Sequence, residues 1–144
     1  FAPGDIKKGT KILTFQGELI DLEEVEKRIK AGKLTVDNNL QVDDDQFLDL
    51  NDNSLYINHS CNPNTALSGF ADLIAIEDIK QGEEITYDYS STVGRNIDWW
   101  MNCNCGLKNC RKRIGNVSSI PQIDLQRYYN TGGLQDYIRK QLEL

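Results

Sequence analysis

Four cysteines, at 61, 103, 105 and 110, are the residues of this chain whose type and spacing most plainly suggest chemistry. Three of them form a Cys-x-Cys-x4-Cys cluster at Cys103, Cys105 and Cys110, and Cys61 stands 42 positions upstream of it. Such crowding suits a tetrahedral ion, because Zn²⁺ held by four sulfurs at about 2.3 Å needs ligands that converge on one point. Gly106, just after Cys105, gives the backbone freedom a tight knuckle requires. Lys108, Arg111, Lys112 and Arg113 would favour ionised thiols and offset the negative charge of the site. The spacing predicts a structural zinc, one per chain, with two disulfides of a secreted protein as the alternative that spacing alone permits. A zinc site implies a reducing compartment, nucleus or cytoplasm.

Two further segments carry polar and aromatic groups in suggestive order. Asn58-His59-Ser60-Cys61-Asn62-Pro63-Asn64 reads by itself as a tight turn. With Cys61 at its centre, a shared metal would staple the distant cysteine cluster across this loop, so that metal and loop build one site. His59 is the only histidine, which removes any site built on paired histidines. In Glu84-Ile85-Thr86-Tyr87-Asp88-Tyr89 the alternation of a strand places Tyr87 and Tyr89 on one face and Asp88 on the other. Glu83 and Glu84 are adjacent, so on a strand they point apart and cannot flank one bond.

These groups must be held by small elements. Asp21 caps the clearest helix, over 21–31, in which Leu22, Val25 and Ile29 share a face, three Glu-to-Lys/Arg i,i+4 pairs line the wet side and Gly32 ends the run. Short strands are expected at 11–15, Leu40 to Val42, Phe47 to Leu50, Leu55 to Ile57, Leu73 to Ile76 and 84–89. DIKKGT at 5–10 is echoed by DIKQGE at 78–83, each a turn closed by glycine that feeds a strand. The last part divides into helical patterns at Ile123 to Tyr129 and Leu134 to Leu142. The sum is a mostly β fold with few helices, of the α+β class.

The sequence resembles the SET-domain protein lysine methyltransferases that carry a post-SET zinc motif. The resemblance rests on an Asn-His-Ser-Cys-x-Pro-Asn run, a Gly-Glu-Glu-Leu-Thr-(Phe/Tyr)-Asp-Tyr strand, here Gly82 to Tyr89, and a Cys-x-Cys-x4-Cys tail, all present in that order. It implies a fold of short curved sheets with a knot-like C-terminal threading and a small zinc-bound post-SET segment. It divides the chain into a SET domain at 1–98, entered just after the Gly-x-Gly turn that opens the family's domain, a post-SET segment at 99–115 and a helical tail at 116–144. It also implies that Asn58 and His59 hold the methyl donor S-adenosylmethionine, that Tyr89 is the catalytic tyrosine, and that Tyr87 limits the product towards monomethyllysine. One departure stands out: Leu55 occupies the place of the arginine that precedes the family's Asn-His run by three positions.

Methylation of lysine fits such a pair of tyrosines. The attacking amine must be neutral although its free pKa is about 10.4, and an apolar aromatic channel lowers that value while hydroxyls orient the nitrogen. Trp99, Trp100 and Met101 either pack over this channel or cap the metal site.

Composition narrows the alternatives. The chain has 144 residues, 26% of them charged, and a net charge of −6, as a single globular unit would. Its longest apolar run is the four residues Leu73 to Ile76, far short of a membrane span, so no membrane partner is expected. Residues 1–98 carry 9 basic and 19 acidic side chains, and 99–144 carry 7 basic and 3 acidic. A body of this sign does not favour direct nucleic-acid binding. The six aspartates from Asp37 to Asp52 form a field expected to draw a basic, lysine-containing protein or peptide, histone-like in character. Two readings follow: a methyltransferase acting on such a substrate, or a catalytically inactive, zinc-containing SET-like module that only binds the peptide.

Overall fold

A computed structural model of the chain describes residues 1–51 and 56–144. Strands β1 (Lys11–Thr14), β2 (Gly17–Ile20), β3 (Asn39–Asp43), β4 (Gln46–Leu50), β5 (Asn58–His59), β6 (Thr65–Ser68), β7 (Asp72–Ala75), β8 (Thr86–Tyr87), β9 (Trp100–Asn102) and β10 (Arg113–Gly115) alternate with helices α1 (Leu22–Lys30), α2 (Gln122–Asn130) and α3 (Asp136–Gln141). The strands make four small sheets, in the orders β1-β7-β6, β2-β4-β3, β5-β8 and β9-β10. Among the described residues, only the β5-β8 strand pair is parallel. Phe15, Leu40, Leu48, Leu67, Leu73 and Tyr87 meet in the core between the first two sheets, while Ala66, on the other face of β6, packs into a second cluster.

Helix α1 follows its sequence signals. The Asp21 carboxylate accepts the Glu24 N–H at 2.8 Å, Val25 is buried with Leu22 and Ile29 beside it, and Gly32 adopts φ +70°. Of the three helical ion pairs, Glu24–Arg28 closes at 2.8 Å, and Arg28 also reaches Glu18 and Asp49, each at 2.7 Å. Asp49 is thus neutralised inside the fold. Asp45 accepts the Leu22 N–H at 3.0 Å, and Asp44 accepts from the Gln141 side chain at 2.6 Å. Of the expected acidic field, Asp49 is thus paired with Arg28, Asp43, Asp44 and Asp45 remain exposed, Asp37 is exposed and lines an apolar groove, and Asp52 lies outside the described residues.

The two echoing turns are partners. Ile6 and Ile79 exchange backbone hydrogen bonds of 2.8 Å, Asp5 accepts the Gln81 N–H at 2.9 Å and Asp78 accepts the Lys8 N–H at 2.8 Å. Gly9 and Gly82 end the turns at φ +88° and +86°, where a side chain would be strained.

Two expected elements are clearly shorter than their patterns. The strand at 84–89 is reduced to β8, because Asp88 accepts the Ser90 N–H at 3.0 Å and turns the chain into a 3-10 helix over Tyr89–Thr92. The last helix begins at Asp136 because Gln135 is bridged to Gly69 and its side chain donates to the Phe70 carbonyl at 2.8 Å. Of the strand expected at Leu55 to Ile57, Leu55 lies outside the described residues and Ile57 lies in no strand. Residues 117–138 are packed into the body: Tyr128, Leu134, Tyr137 and Ile138 are buried against Ala66, Ile76, Val117 and Ile120.

Candidate active site and metal centre

The ligand atoms of Cys61, Cys103, Cys105 and Cys110 all lie within 4.8 Å of one another, and all four thiols are free. The Sγ atoms of Cys61 and Cys103 are 3.7 Å apart. A tetrahedron of sulfurs at about 2.3 Å from a central Zn²⁺ has edges of about 3.8 Å, so the donor set and its spacing fit that ion. Gly106, at φ +77°, makes the turn between the second and third cysteines of the cluster. Burial opposes ionisation of Cys105, yet hydrogen bonds from the backbone at Cys61 and Leu107 and from the neighbouring thiols bring its pKa down to about 6. Cys105 is thus poised to bind a cation as thiolate, whereas burial pushes the Cys103 thiol up to about 12.

Among the four basic neighbours, Arg111 faces the centre. Its backbone N–H donates to Cys61 Sγ at 3.4 Å, and its guanidinium donates to the buried Asp88 carboxylate at 2.6 Å. Arg113 instead lies over the exposed Trp100 ring, 4.0 Å from its centroid. Asp88 also accepts from Tyr128 Oη at 3.1 Å. It therefore joins the residue between the two tyrosines to the cysteine segment and to α2, a role that alternation along a strand does not reveal.

The Asn58–Asn64 loop is fixed to β8 residue by residue. Asn58 pairs with Thr86 and His59 with Tyr87. Asn64 donates from Nδ2 to the Glu84 carbonyl at 2.8 Å and accepts the Thr86 N–H at 3.0 Å, while Asn58 donates to the Glu84 carboxylate at 2.7 Å. His59 Nδ1 accepts the Tyr89 N–H at 3.1 Å, which leaves the ring proton on Nε2, 3.3 Å from Cys61 Sγ. Burial lowers the His59 pKa, in keeping with a neutral ring.

Tyr87 and Tyr89 stand with ring centroids 4.9 Å apart, and Phe15 meets Tyr87 edge-on at 5.8 Å. Tyr89 Oη donates to the Ile57 carbonyl at 2.7 Å. Burial raises the pKa of both phenols, so both remain protonated at neutral pH. Two concavities meet here. One, of about 220 Å³, is an apolar groove walled by Leu22, Val25, Ile29, Phe47, Trp99 and the two tyrosines, with Glu26, Asp37 and Asp98 at its margin. The other, of about 770 Å³, is open and polar and is lined by Asn58, His59, Asn64, Glu84, Met101 and Cys105. Tyr89 lines both. Trp99 and Met101 pack on the cysteines and each lines one cavity, whereas Trp100 does neither and lies exposed beneath Arg113.

The family model of the SET domain matches residues 1–90, and the chain belongs to the SET-domain family. It is 32% identical over 143 residues to the Arabidopsis thaliana histone-lysine N-methyltransferase ASHH3, an alignment covering 90% of this chain and 38% of that protein. Against the Mus musculus histone-lysine N-methyltransferase, H3 lysine-36 specific, it is 32% identical over 127 residues, 77% of this chain and 5% of the other. The chain thus spans well under half the length of these curated relatives. Among solved structures, KRYPTONITE in complex with mCHG DNA and SAH superposes with a TM-score of 0.58 at 22% identity, over 77% of this chain and 25% of that one. A humanized mutant of the Chaetomium thermophilum Polycomb Repressive Complex 2, bound to the inhibitor GSK126, gives 0.56 at 26% identity, over 64% of this chain and 13% of the other.

Proposed function

We propose that the protein is a protein-lysine N-methyltransferase that uses S-adenosylmethionine and acts on a lysine of a basic, histone-like protein in the nucleus or cytoplasm. The observation that carries this reading is the position of Tyr89 at the junction of an apolar groove and a polar cavity. A methyl transfer between two separately bound molecules needs such a junction, because the acceptor nitrogen and the donor must meet in line while each is held from its own side.

In this reading the polar cavity takes the methyl donor, held by Asn58 and His59, and the donor supplies an electrophilic methyl group on a sulfonium. The apolar groove takes the lysine stem. Desolvation between Tyr87, Tyr89, Phe47 and Trp99 favours the neutral amine, and the acidic margin receives the cationic residues that flank it. The Tyr89 hydroxyl, committed as donor to Ile57, offers its lone pairs to the amine; a phenol held protonated by burial orients and does not act as base. Cys61, Cys103, Cys105 and Cys110 hold a structural Zn²⁺ that fixes the 99–115 segment beside the cavity, and the division into 1–98, 99–115 and 116–144 follows these roles. The test is calorimetric binding of S-adenosylmethionine, followed by transfer of its labelled methyl to a lysine-rich peptide. Binding with transfer is expected; binding of peptide without donor or transfer would establish the inactive module instead.

A further inference from the structure

Arg127 lies on α2, beyond the residues 1–90 that define the family, and it does not line either cavity. Its guanidinium nevertheless makes three hydrogen bonds to the wall of the polar one. It donates to Asn62 Oδ1 at 2.9 Å, to the Pro63 carbonyl at 2.9 Å and to the Glu77 carboxylate at 2.8 Å. Asn62 and Glu77 line the cavity, and Pro63 is the residue between Asn62 and Asn64.

We infer that Arg127 is a positioning residue that holds the Asn58–Asn64 loop in the form that binds the methyl donor; this rests on the function proposed above. A planar fork that satisfies two acceptors on one loop and a carboxylate on another segment fixes their relative position, which a point charge on a flexible stem does not do. The side chain is 28% exposed, so its ion pair with the half-exposed Glu77 contributes little by itself. The bonds to Asn62 and Pro63 are what bear on the site, because the loop begins with Asn58 and His59 and is clamped to β8 at its far end by Asn64. The neighbouring Tyr128 places its hydroxyl on Asp88, so consecutive residues of one helix reach the donor loop and the residue before Tyr89.

The experiment compares the full chain with Arg127→Ala and Arg127→Lys, titrating each with S-adenosylhomocysteine by calorimetry and following amide exchange over 58–64. The expected result is a Kd raised about tenfold in the alanine variant and by less in the lysine variant, faster exchange at 58–64, and a KM for the methyl donor that rises more than kcat falls. The lysine variant retains a cation beside Glu77 and serves if the alanine variant does not fold. Wild-type affinity in either folded variant overturns the inference, as does weakened binding accompanied by loss of exchange protection throughout the core. If the unaltered chain binds no S-adenosylhomocysteine, the proposed function itself fails, and the two failures are distinct.

Discussion

The ring of His59 stands between the backbone of Tyr89 and the sulfur of Cys61, accepting the Tyr89 N–H on Nδ1 at 3.1 Å and presenting Nε2 at 3.3 Å from Sγ. One imidazole therefore sets both the start of the turn that carries the catalytic candidate and the orientation of a metal-ligand candidate. Ligand sulfurs held by such outer contacts bind their ion more firmly.

Replacing His59 by Phe keeps a ring of similar shape and removes both contacts. The half-buried Tyr89 N–H then loses its partner, at a cost of about 1 kcal/mol. Zinc transfer to a chromophoric chelator should quicken in this variant and methyl transfer should fall with it. Unchanged rates of both would show that the ring only fills space.

Tyr89→Phe deletes one hydroxyl at the junction of the two cavities. Methyl transfer to a basic peptide should drop about 100-fold, since misplacement of a reacting group by an ångström has effects of that order. The melting temperature should change by only a few degrees, because the ring remains packed against Tyr87 and His59. An active, equally stable variant would make Tyr89 a core residue.

Tyr87→Phe enlarges the aromatic end of the groove by one oxygen. Wild-type product should be mainly monomethyllysine and the variant should shift it to di- and trimethyllysine, as read by mass spectrometry over time. A wild type that already yields trimethyllysine, or an unchanged distribution, excludes this role.

Elemental analysis should find one zinc per chain. Chelation, or Cys105→Ser, should expose 99–115 to protease and abolish donor binding, because the energy of metal binding organises a segment this short. Absence of zinc together with absence of free thiols would establish disulfides.

Arg111→Ala leaves the Asp88 carboxylate, 2% exposed, without its cationic partner. Loss of one member of a buried pair destabilises by about 3–5 kcal/mol, measurable by chemical denaturation. Asp88→Asn should recover part of that loss in the same background, and equal, additive effects of the two changes would show that they do not interact.

Much of this architecture was legible because its causes are local. Asp21, Glu24 and the Leu22-Val25-Ile29 face announce α1, and the crowding of Cys103, Cys105 and Cys110 announces a cluster wherever Cys61 is brought to it. Alternation also brought Tyr87 and Tyr89 together, although the strand ends between them: Asp88 bends the chain into a 3-10 turn, and the rings remain neighbours at 4.9 Å. What the sequence did not disclose is long-range polar pairing. Arg127 meets its acceptors 50 to 65 positions away, and Arg111 reads as one of four interchangeable charges beside the cysteines until the fold turns it onto Asp88. Nor does it disclose which aspartates of the 37–49 stretch are held: Arg28 pairs with Asp49, while Asp45 and Asp44 accept from the Leu22 N–H and the Gln141 side chain and stay exposed.

The reciprocal seam between the turns at 5–10 and 78–83 bears on how the chain reaches this state. Asp5 serves Gln81 and Asp78 serves Lys8, across separations of 76 and 70 residues, so the long-range bonds of each turn wait for the other, although each closes on its own i,i+3 backbone bond. Closing a loop of that length costs entropy before any contact rewards it, and chains dominated by such contacts fold slowly. A chain leaving the ribosome would hold the 5–10 turn without its partner until about seventy further residues had followed it, so the seam can close only after both turns are present.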